Sequence, residues 1–227
     1  NVRLAVGTVL DPAIHMNSTV QLLRDLVVLP SVNPAFLPPG DPRAGEARVA
    51  DFLAATGARA GLDLELHDVM PGRANVLLRY RPTRARRRLL LAPHLDTVGG
   101  TTREPGLFTP IVRQGRLYGR GACDTKGSVA VMFAALAALV ASTERPRETE
   151  IVLAGLVDEE HSQLGARALV RRRFRADLAV VGEPTGQQLV TAHKGNLWLT
   201  LRTRGLAAHG SRPELGDNAV AQMARVV

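Results

Sequence analysis

A buried strand-like segment, residues 89–96 ("LLLAPHLD"), ends in a histidine and an aspartate two positions apart. In an extended strand, side chains two apart point to the same face, so His94 and Asp96 can contact each other. A carboxylate in that position holds a metal-ligating imidazole in one tautomer. The structural alternative is a strand-end histidine beside a solvated aspartate, and these two residues alone favour that alternative.

Acidic residues also lie at three further boundaries between predicted elements. Asp124 lies in the glycine-flanked turn "GRGACDTKG" before an alanine-rich helix, Glu159 and Glu160 end the strand-like "IVLAGLVDEE", and Glu183 lies in "VVGEPT". Singly, each has an ordinary explanation: a helix cap, solvated acids or a turn residue. Together, carboxylates that converge with His94 on one cleft repel each other unless a cation neutralises them. Mixed histidine and carboxylate ligation suits Zn²⁺, and a bridging carboxylate suits a pair of ions.

The two adjacent glutamates, Glu159 and Glu160, cannot both bind the metal in the same way, because neighbouring side chains point in opposite directions. Only one can face a metal directly, which leaves the other free to act as a general base. A phosphate-binding loop around Lys126 is excluded, since the lysine precedes Gly127 instead of following the last glycine. Cys123 has no histidine beside it, and a small buried cysteine is favoured over a nucleophile.

Six motifs follow each other along the chain: "PHLDTV", "GRGACDTKG", "DEEHSQLGA", "GEPT", "HKG" and "GLAAHGSRPELGDNAV". Together, in order and approximate spacing, they resemble the di-zinc metallopeptidase family that contains acetylornithine deacetylase, succinyl-diaminopimelate desuccinylase, aminoacylase and carboxypeptidase G. The resemblance implies a zinc-dependent hydrolase that cleaves the amide bond of N-acyl amino acids or short peptides, with metal-activated water and a glutamate base. The stretches around "GRGACDTKG" and "GEPT" look closer to the acetylornithine deacetylase-like members than to the dipeptidases. The resemblance extends from about residue 22 to residue 227.

The resemblance implies a set of metal ligands. His94 and Glu183 would bind one zinc, Asp124 would bridge both ions, and Glu160 would bind the second. Cobalt could substitute for zinc. In this family the peptide bond after the bridging aspartate is cis, so a cis bond is expected between Asp124 and Thr125.

The resemblance also implies three catalytic residues. Glu159 would be the general base and acid, and Asp96 would orient His94. His209, in "AAHGS", would reach the active site of a neighbouring subunit and polarise the scissile carbonyl. A homodimer through a lid domain is therefore expected for the complete protein.

Strands alternating with helices predict an α/β fold with a mostly parallel sheet flanked by helices. We expect a zinc-exopeptidase-like catalytic domain over residues 1–194 and the beginning of a smaller α+β lid or dimerisation domain over residues 195–227. Within the latter, residues 195–205 alternate like a strand, and residues 215–227 are typical of a helix that continues to the last residue.

One family feature is missing from this sequence. The family draws a final zinc-ligating histidine from the C-terminal part of the catalytic domain, after the lid, and this chain ends inside the lid. The remaining histidines do not stand in matching contexts. We therefore expect a fragment that lacks the C-terminal portion of its catalytic domain, binds at most about one zinc tightly and is inactive alone. Those histidines are His15, His67, His161 and His193.

Composition and charge argue against nucleic-acid and membrane partners. The net charge of +8 comes from 27 arginines and 2 lysines spread along the chain. The densest run, residues 81–88, is interpreted as a solvated connection, so no nucleic-acid partner is expected. With a single cysteine, no evident signal peptide and no apolar run long enough to span a bilayer, we expect a cytoplasmic protein without a membrane partner.

Three other functions remain open at this point. A family member without catalysis could serve as a binding or regulatory protein, although the intact Glu159 argues against it. A dipeptidase or carboxypeptidase of the same family would use the same site. Nucleic-acid binding through residues 81–88 would be strongly salt-dependent and independent of zinc.

Overall fold

The computed structural model describes residues 12–100, 106–195 and 197–227. The chain divides into two compact units, Asn1–Gln187 and Gln188–Val227. Within the described residues the helices are α1 (Pro12–Val28), α2 (Ala47–Arg59), α3 (Lys126–Ala141), α4 (Leu164–Arg171) and α5 (Ala219–Ala224), with short 3₁₀ helices at Pro34–Phe36 and Pro213–Leu215. The strands are β1 (Asp63–Met70), β2 (Arg73–Tyr80), β3 (Arg87–Ala92), β4 (Ile111–Arg113), β5 (Arg116–Tyr118), β6 (Thr149–Gly155) and β7 (Leu178–Val181).

The first unit is built on a five-stranded sheet in the order β1-β2-β6-β3-β7. Strand β3 is central to its parallel half, because it pairs in parallel with both β6 and β7. Strand β2 pairs antiparallel with β1 and with β6. The predicted α/β fold with flanking helices is confirmed, but the sheet is mixed and not mostly parallel. The turn at Pro71 and Gly72 explains one of the two antiparallel pairings, that of β1 with β2, since a two-residue connection can join only antiparallel strands.

Helices cover both faces of this sheet. Along β2, the side chains of Val76 and Leu78 belong to one buried cluster and that of Leu77 to another, as the alternation of a strand requires. The larger cluster contains buried residues of α1, α2 and α3, and the smaller one contains Leu169 of α4. The alanine-rich helix α3 packs against α1 and β6, so the long apolar run of the sequence is a core helix. Within the described residues, the structure contains no helix of the length and apolarity needed to cross a membrane.

The second unit differs from its predicted elements. The described residues 197–205 form no strand, although their apolar and polar residues alternate. Leu197 and Trp198 are exposed, and an alternating pattern gives a stable strand only where a neighbour supplies hydrogen bonds. The predicted helix at 215–227 is shorter: Asn218 caps α5 by accepting from the backbone of Val220 and Ala221, and the helix ends at Ala224, before the last residue.

Candidate active site

The carboxyl ends of three strands bring the predicted site residues to one edge of the sheet. His94 lies two residues after β3 and forms a parallel bridge with Leu156, directly after β6. Backbone hydrogen bonds from Leu95 N to Leu156 O (2.7 Å) and from Leu156 N to Pro93 O (3.0 Å) continue the pairing beyond both strands. Glu183 follows β7 by two residues. The site therefore lies where open α/β sheets place ligands, at the carboxyl ends of parallel strands.

Asp124 reaches the same place from the loop before α3. Its peptide bond with Thr125 is cis, as predicted. The buried Thr125 hydroxyl donates to the carbonyl oxygen of His94 over 3.0 Å and so attaches this loop to the end of β3. Beneath the loop, the buried Lys126 ammonium donates to the carbonyl oxygen of Leu29 over 2.6 Å. Cys123 is exposed, so the expectation of a buried cysteine was wrong.

The imidazole of His94 is buried and has distinct partners on its two nitrogens. Nδ1 lies 2.9 Å from the backbone oxygen of Asp96 and 3.4 Å from its carboxylate Oδ1. Nε2 lies 2.9 Å from Asp124 Oδ1 and 3.8 Å from Glu159 Oε2. Asp96 thus fixes one side of the ring, and the other side faces the acidic residues. The predicted contact between His94 and Asp96 is present, with the backbone oxygen as the nearer acceptor.

The Asp96 carboxylate has a second role that the spacing of the sequence did not indicate. Its Oδ1 accepts from the backbone N–H of Glu159 over 3.0 Å, and its Oδ2 accepts from that of Glu160 over 3.1 Å. Asn33 Nδ2 also donates to Oδ2, over 2.7 Å. Burial raises the pKa of Asp96, but its hydrogen bonds with His94, Asn33 and the backbone of Glu160, together with the charge of His94, hold it below its usual range. Asp96 therefore anchors the turn that carries both glutamates.

The acidic side chains form two clusters that share His94. One contains His94, Glu159 and Glu183, and the other contains His94, Asp124 and Glu160, with a ligand atom of each member within 4.8 Å of the others. A nitrogen ligand with carboxylate oxygens is a donor set that fits Zn²⁺. The residues present therefore fit a metal centre.

Burial and the charges of neighbouring groups shift the pKa values of these residues. Burial raises the pKa of Glu160 to about 7, and the charge of Asp124 adds to the rise. Burial likewise raises the pKa values of Glu159 and Glu183, an effect that the charge of His94 only partly offsets. Burial alone would lower the pKa of His94, but its hydrogen bond with Asp96 and the surrounding acids raise it to about 9. The acidic surroundings thus favour the protonated imidazole, and a metal ion would relieve the same repulsion among the carboxylates.

His209 belongs to the second compact unit, Gln188–Val227. It is exposed, and its Nδ1 lies 2.8 Å from the hydroxyl oxygen of Ser211. Its assignment to a partner subunit's active site stays a prediction. The other predicted site residues, from His94 to Glu183, lie together in the first unit.

Three residues around the site were missed by the sequence analysis. Asn33, Glu46 and Arg73 are linked to Asp96 and to the Glu159 turn through buried hydrogen bonds and ion pairs. They lie in a proline-rich loop, at the start of α2 and at the start of β2, and nothing in their spacing relates them to His94. Asn33 and Glu46 are distinguished by their burial, and burial is not visible in a single sequence.

Comparison with known proteins agrees with this geometry. A family model described as peptidase family M20/M25/M40 matches residues 90–222, which include every predicted ligand. Acetylornithine deacetylase of Proteus mirabilis (strain HI4320) is 33% identical over 217 residues, which cover 92% of this chain and 54% of that protein. Acetylornithine deacetylase of Vibrio campbellii (strain ATCC BAA-1116) is 32% identical over 189 residues, which cover 81% and 48%.

A tripeptidase from Staphylococcus aureus has a similar fold, with a TM-score of 0.66 at 20% identity over 92% of this chain and 55% of that chain. The chain spans about half the length of the curated relatives it matches. The family match extends over more than half of the sequence and coincides with the strand ends that gather the histidine and the acids. The chain belongs to peptidase family M20/M25/M40.

Proposed function

We propose that this chain carries the metal centre of a zinc-dependent hydrolase that cleaves the amide bond of N-acyl amino acids, as a deacetylase. The observation that carries the proposal is the pair of acidic clusters that share His94 at the carboxyl edge of the sheet. The sequence identity of 33% and 32% to two acetylornithine deacetylases supports deacetylation as the reaction. Short peptides with a free carboxylate are the alternative substrates, as in a dipeptidase or carboxypeptidase.

Each acidic residue has a role in this proposal. With zinc bound, His94 and Glu183 would hold one ion, Glu160 would hold a second, and Asp124 would contribute its carboxylate to both. Bound zinc supplies Lewis acidity toward water and toward the substrate carbonyl. Glu159 accepts a proton from the attacking water at its carboxylate and passes it to the nitrogen of the departing amine. Its raised pKa supports this role, because a proton shuttle works best with a pKa closer to the operating pH.

The proposal extends to the complete protein. There, His209 would polarise the scissile carbonyl in the active site of a partner subunit, in a homodimer formed through the smaller domain. The single cysteine, which allows no intrachain disulfide, supports a cytoplasmic location. Catalysis by this chain alone is not part of the proposal.

Nucleic-acid binding by the arginine-rich residues 81–88 is not favoured by their contacts. Arg81 and Arg88 form ion pairs with the buried Glu150, over 2.9 Å and 2.6 Å. The Arg88 guanidinium also lies over the ring of Phe174, 5.0 Å from its centroid. Arg81 and Arg88 therefore bind residues of this protein at the end of the sheet, which supports a hydrolase over a nucleic-acid-binding protein.

Metal content and hydrolysis are separate tests of this function. Zinc titration of the metal-stripped chain, followed with a chromophoric chelator, should show tight binding that is lost in His94→Ala. Amine release from N-acetyl amino acids and from dipeptides should then be measured in the longest polypeptide that contains this sequence, with zinc or cobalt added. Weak zinc binding by the chain would contradict the metal centre. Zinc binding without turnover in the longer polypeptide would favour a binding or regulatory protein.

A further inference from the structure

A single buried amide joins two carboxylates beside the candidate metal centre. Asn33 Nδ2 lies 2.7 Å from Asp96 Oδ2 and 3.1 Å from Asp158 Oδ1. Its two hydrogens can serve both acceptors at once, and all three side chains are buried. The side-chain oxygen of Asn33 accepts from the backbone N–H of Ala35 over 3.1 Å, which directs the amide nitrogen toward the carboxylates.

An ion-pair group lies behind this amide. The Arg73 guanidinium binds both carboxylate oxygens of Glu46, over 2.7 Å and 2.5 Å, and lies 3.2 Å from Asp158 Oδ1. Glu46 in turn accepts from the backbone N–H of Asp158 over 3.1 Å. Arg73 therefore pairs directly with Glu46 and Asp158, and its charge also acts on Asp96, whose side chain is hydrogen-bonded by Asn33.

Asp158 begins the turn that presents the two glutamates. Its φ of 67° lies in the left-handed region, which aspartate tolerates better than most residues. Its backbone oxygen accepts from the N–H groups of Ser162 and Gln163 and closes the turn. The next two N–H groups, those of Glu159 and Glu160, donate to Asp96. Asn33 thus links the turn to the strand end that carries His94.

We propose that Asn33 is a positioning residue of the metal centre, whose amide holds the turn of Glu159 and Glu160 in register with His94. The inference rests on the proposed function, because it treats these residues as a metal site. Residues that orient metal ligands typically contribute 10- to 100-fold in metal affinity. Without the amide, Asp96 and Asp158 are two buried carboxylates that lack a shared donor, and the turn loses one of its attachments to β3.

The test compares Asn33→Ala with a matched control, Asn75→Ala. The Asn75 side chain is equally buried and also makes two hydrogen bonds, accepting from Val157 N over 3.1 Å and donating to Gly165 O, in α4, over 2.9 Å. It has no described hydrogen bond with Asp96. Both variants should lose comparable stability in urea, whereas only Asn33→Ala should lose zinc affinity, by about 10- to 100-fold.

Zinc affinity is measured in the metal-stripped chain by chelator competition, at a temperature where circular dichroism shows every variant folded. If Asn33→Ala does not fold, Asn33→Ser serves instead: its hydroxyl can donate to only one carboxylate, and an intermediate loss of affinity is expected. Unchanged zinc affinity in the Asn33 variant, or an equal loss in Asn75→Ala, would overturn the positioning role. Absence of zinc binding in the unaltered chain would instead overturn the proposed function.

Discussion

Glu160 should destabilise the metal-free protein, and its replacement by glutamine should show this. The side chain is half-buried, and its pKa is raised by burial and by Asp124. Glutamine has nearly the same size but no charge, so Glu160→Gln removes repulsion without opening a cavity. We expect the metal-free variant to be more stable than the unaltered chain above neutral pH.

The size and sign of the effect follow from the pKa. A rise from 4.5 to about 7 in the folded state corresponds to about 3 kcal/mol at full strength. Solvent screens a half-exposed carboxylate, so about 1–2 kcal/mol is expected. Below pH 4.5 the carboxyl is protonated in both folded and unfolded states, and Glu160 carries no penalty. Stability is lost as the pH rises through 7, so the advantage of Glu160→Gln should be absent at pH 4 and fully present at pH 8.

Urea denaturation of the metal-stripped proteins at pH 4 and pH 8 measures this difference. Glu144→Gln is the control, because Glu144 is exposed on the loop between α3 and β6 and outside the acidic clusters. With saturating zinc the order should reverse, since only the unaltered site retains the ligand and gains stability from binding. A Glu160→Gln variant that is less stable than the unaltered chain at pH 8 without metal would refute the crowding of these carboxylates.

Three further outcomes are expected. In the longest polypeptide that contains the sequence, Glu159→Ala should keep its zinc and lose nearly all turnover, and elemental analysis showing equal zinc loss would make Glu159 a ligand. Arg73→Ala should cost about 3–5 kcal/mol in urea at pH 7, because Glu46 is left as an uncompensated buried charge; a cost below about 1 kcal/mol would contradict the ion pair. Gly165→Ala should lower stability by about 1–3 kcal/mol, since a Cβ there would lie 2.5 Å from the backbone oxygen of Val157, and an unchanged urea midpoint would argue against this close packing.

The site was predictable from sequence where its residues follow strands. The alternation of a strand places His94 beside Asp96, and the topology of an α/β sheet brings the residues after β6 and β7 to the same edge. These are local rules combined with one general rule of chain topology, so the identity of the clustered residues did not require coordinates.

The supporting structure could not be predicted in the same way. Asn33 contacts Asp96 across 63 positions, and Arg73 reaches Glu46 across 27. Such contacts depend on how the proline-rich loop and α2 pack against the sheet, which leaves no periodic signal. The described residues 197–205, which form no strand, show the converse limit, because an alternating pattern does not supply the partner strand that hydrogen bonding requires.

The open edge of the sheet at β7 affects how this polypeptide must be handled. Within the described residues, β7 pairs only with β3, and its Leu178 and Val181 side chains are largely exposed. An apolar edge strand with unpaired backbone groups is a template for a second molecule, so concentrated stocks should become turbid sooner than dilute ones. A charged substitution on this strand, such as Val180→Lys, should reduce this association without replacing any residue of the acidic clusters around His94.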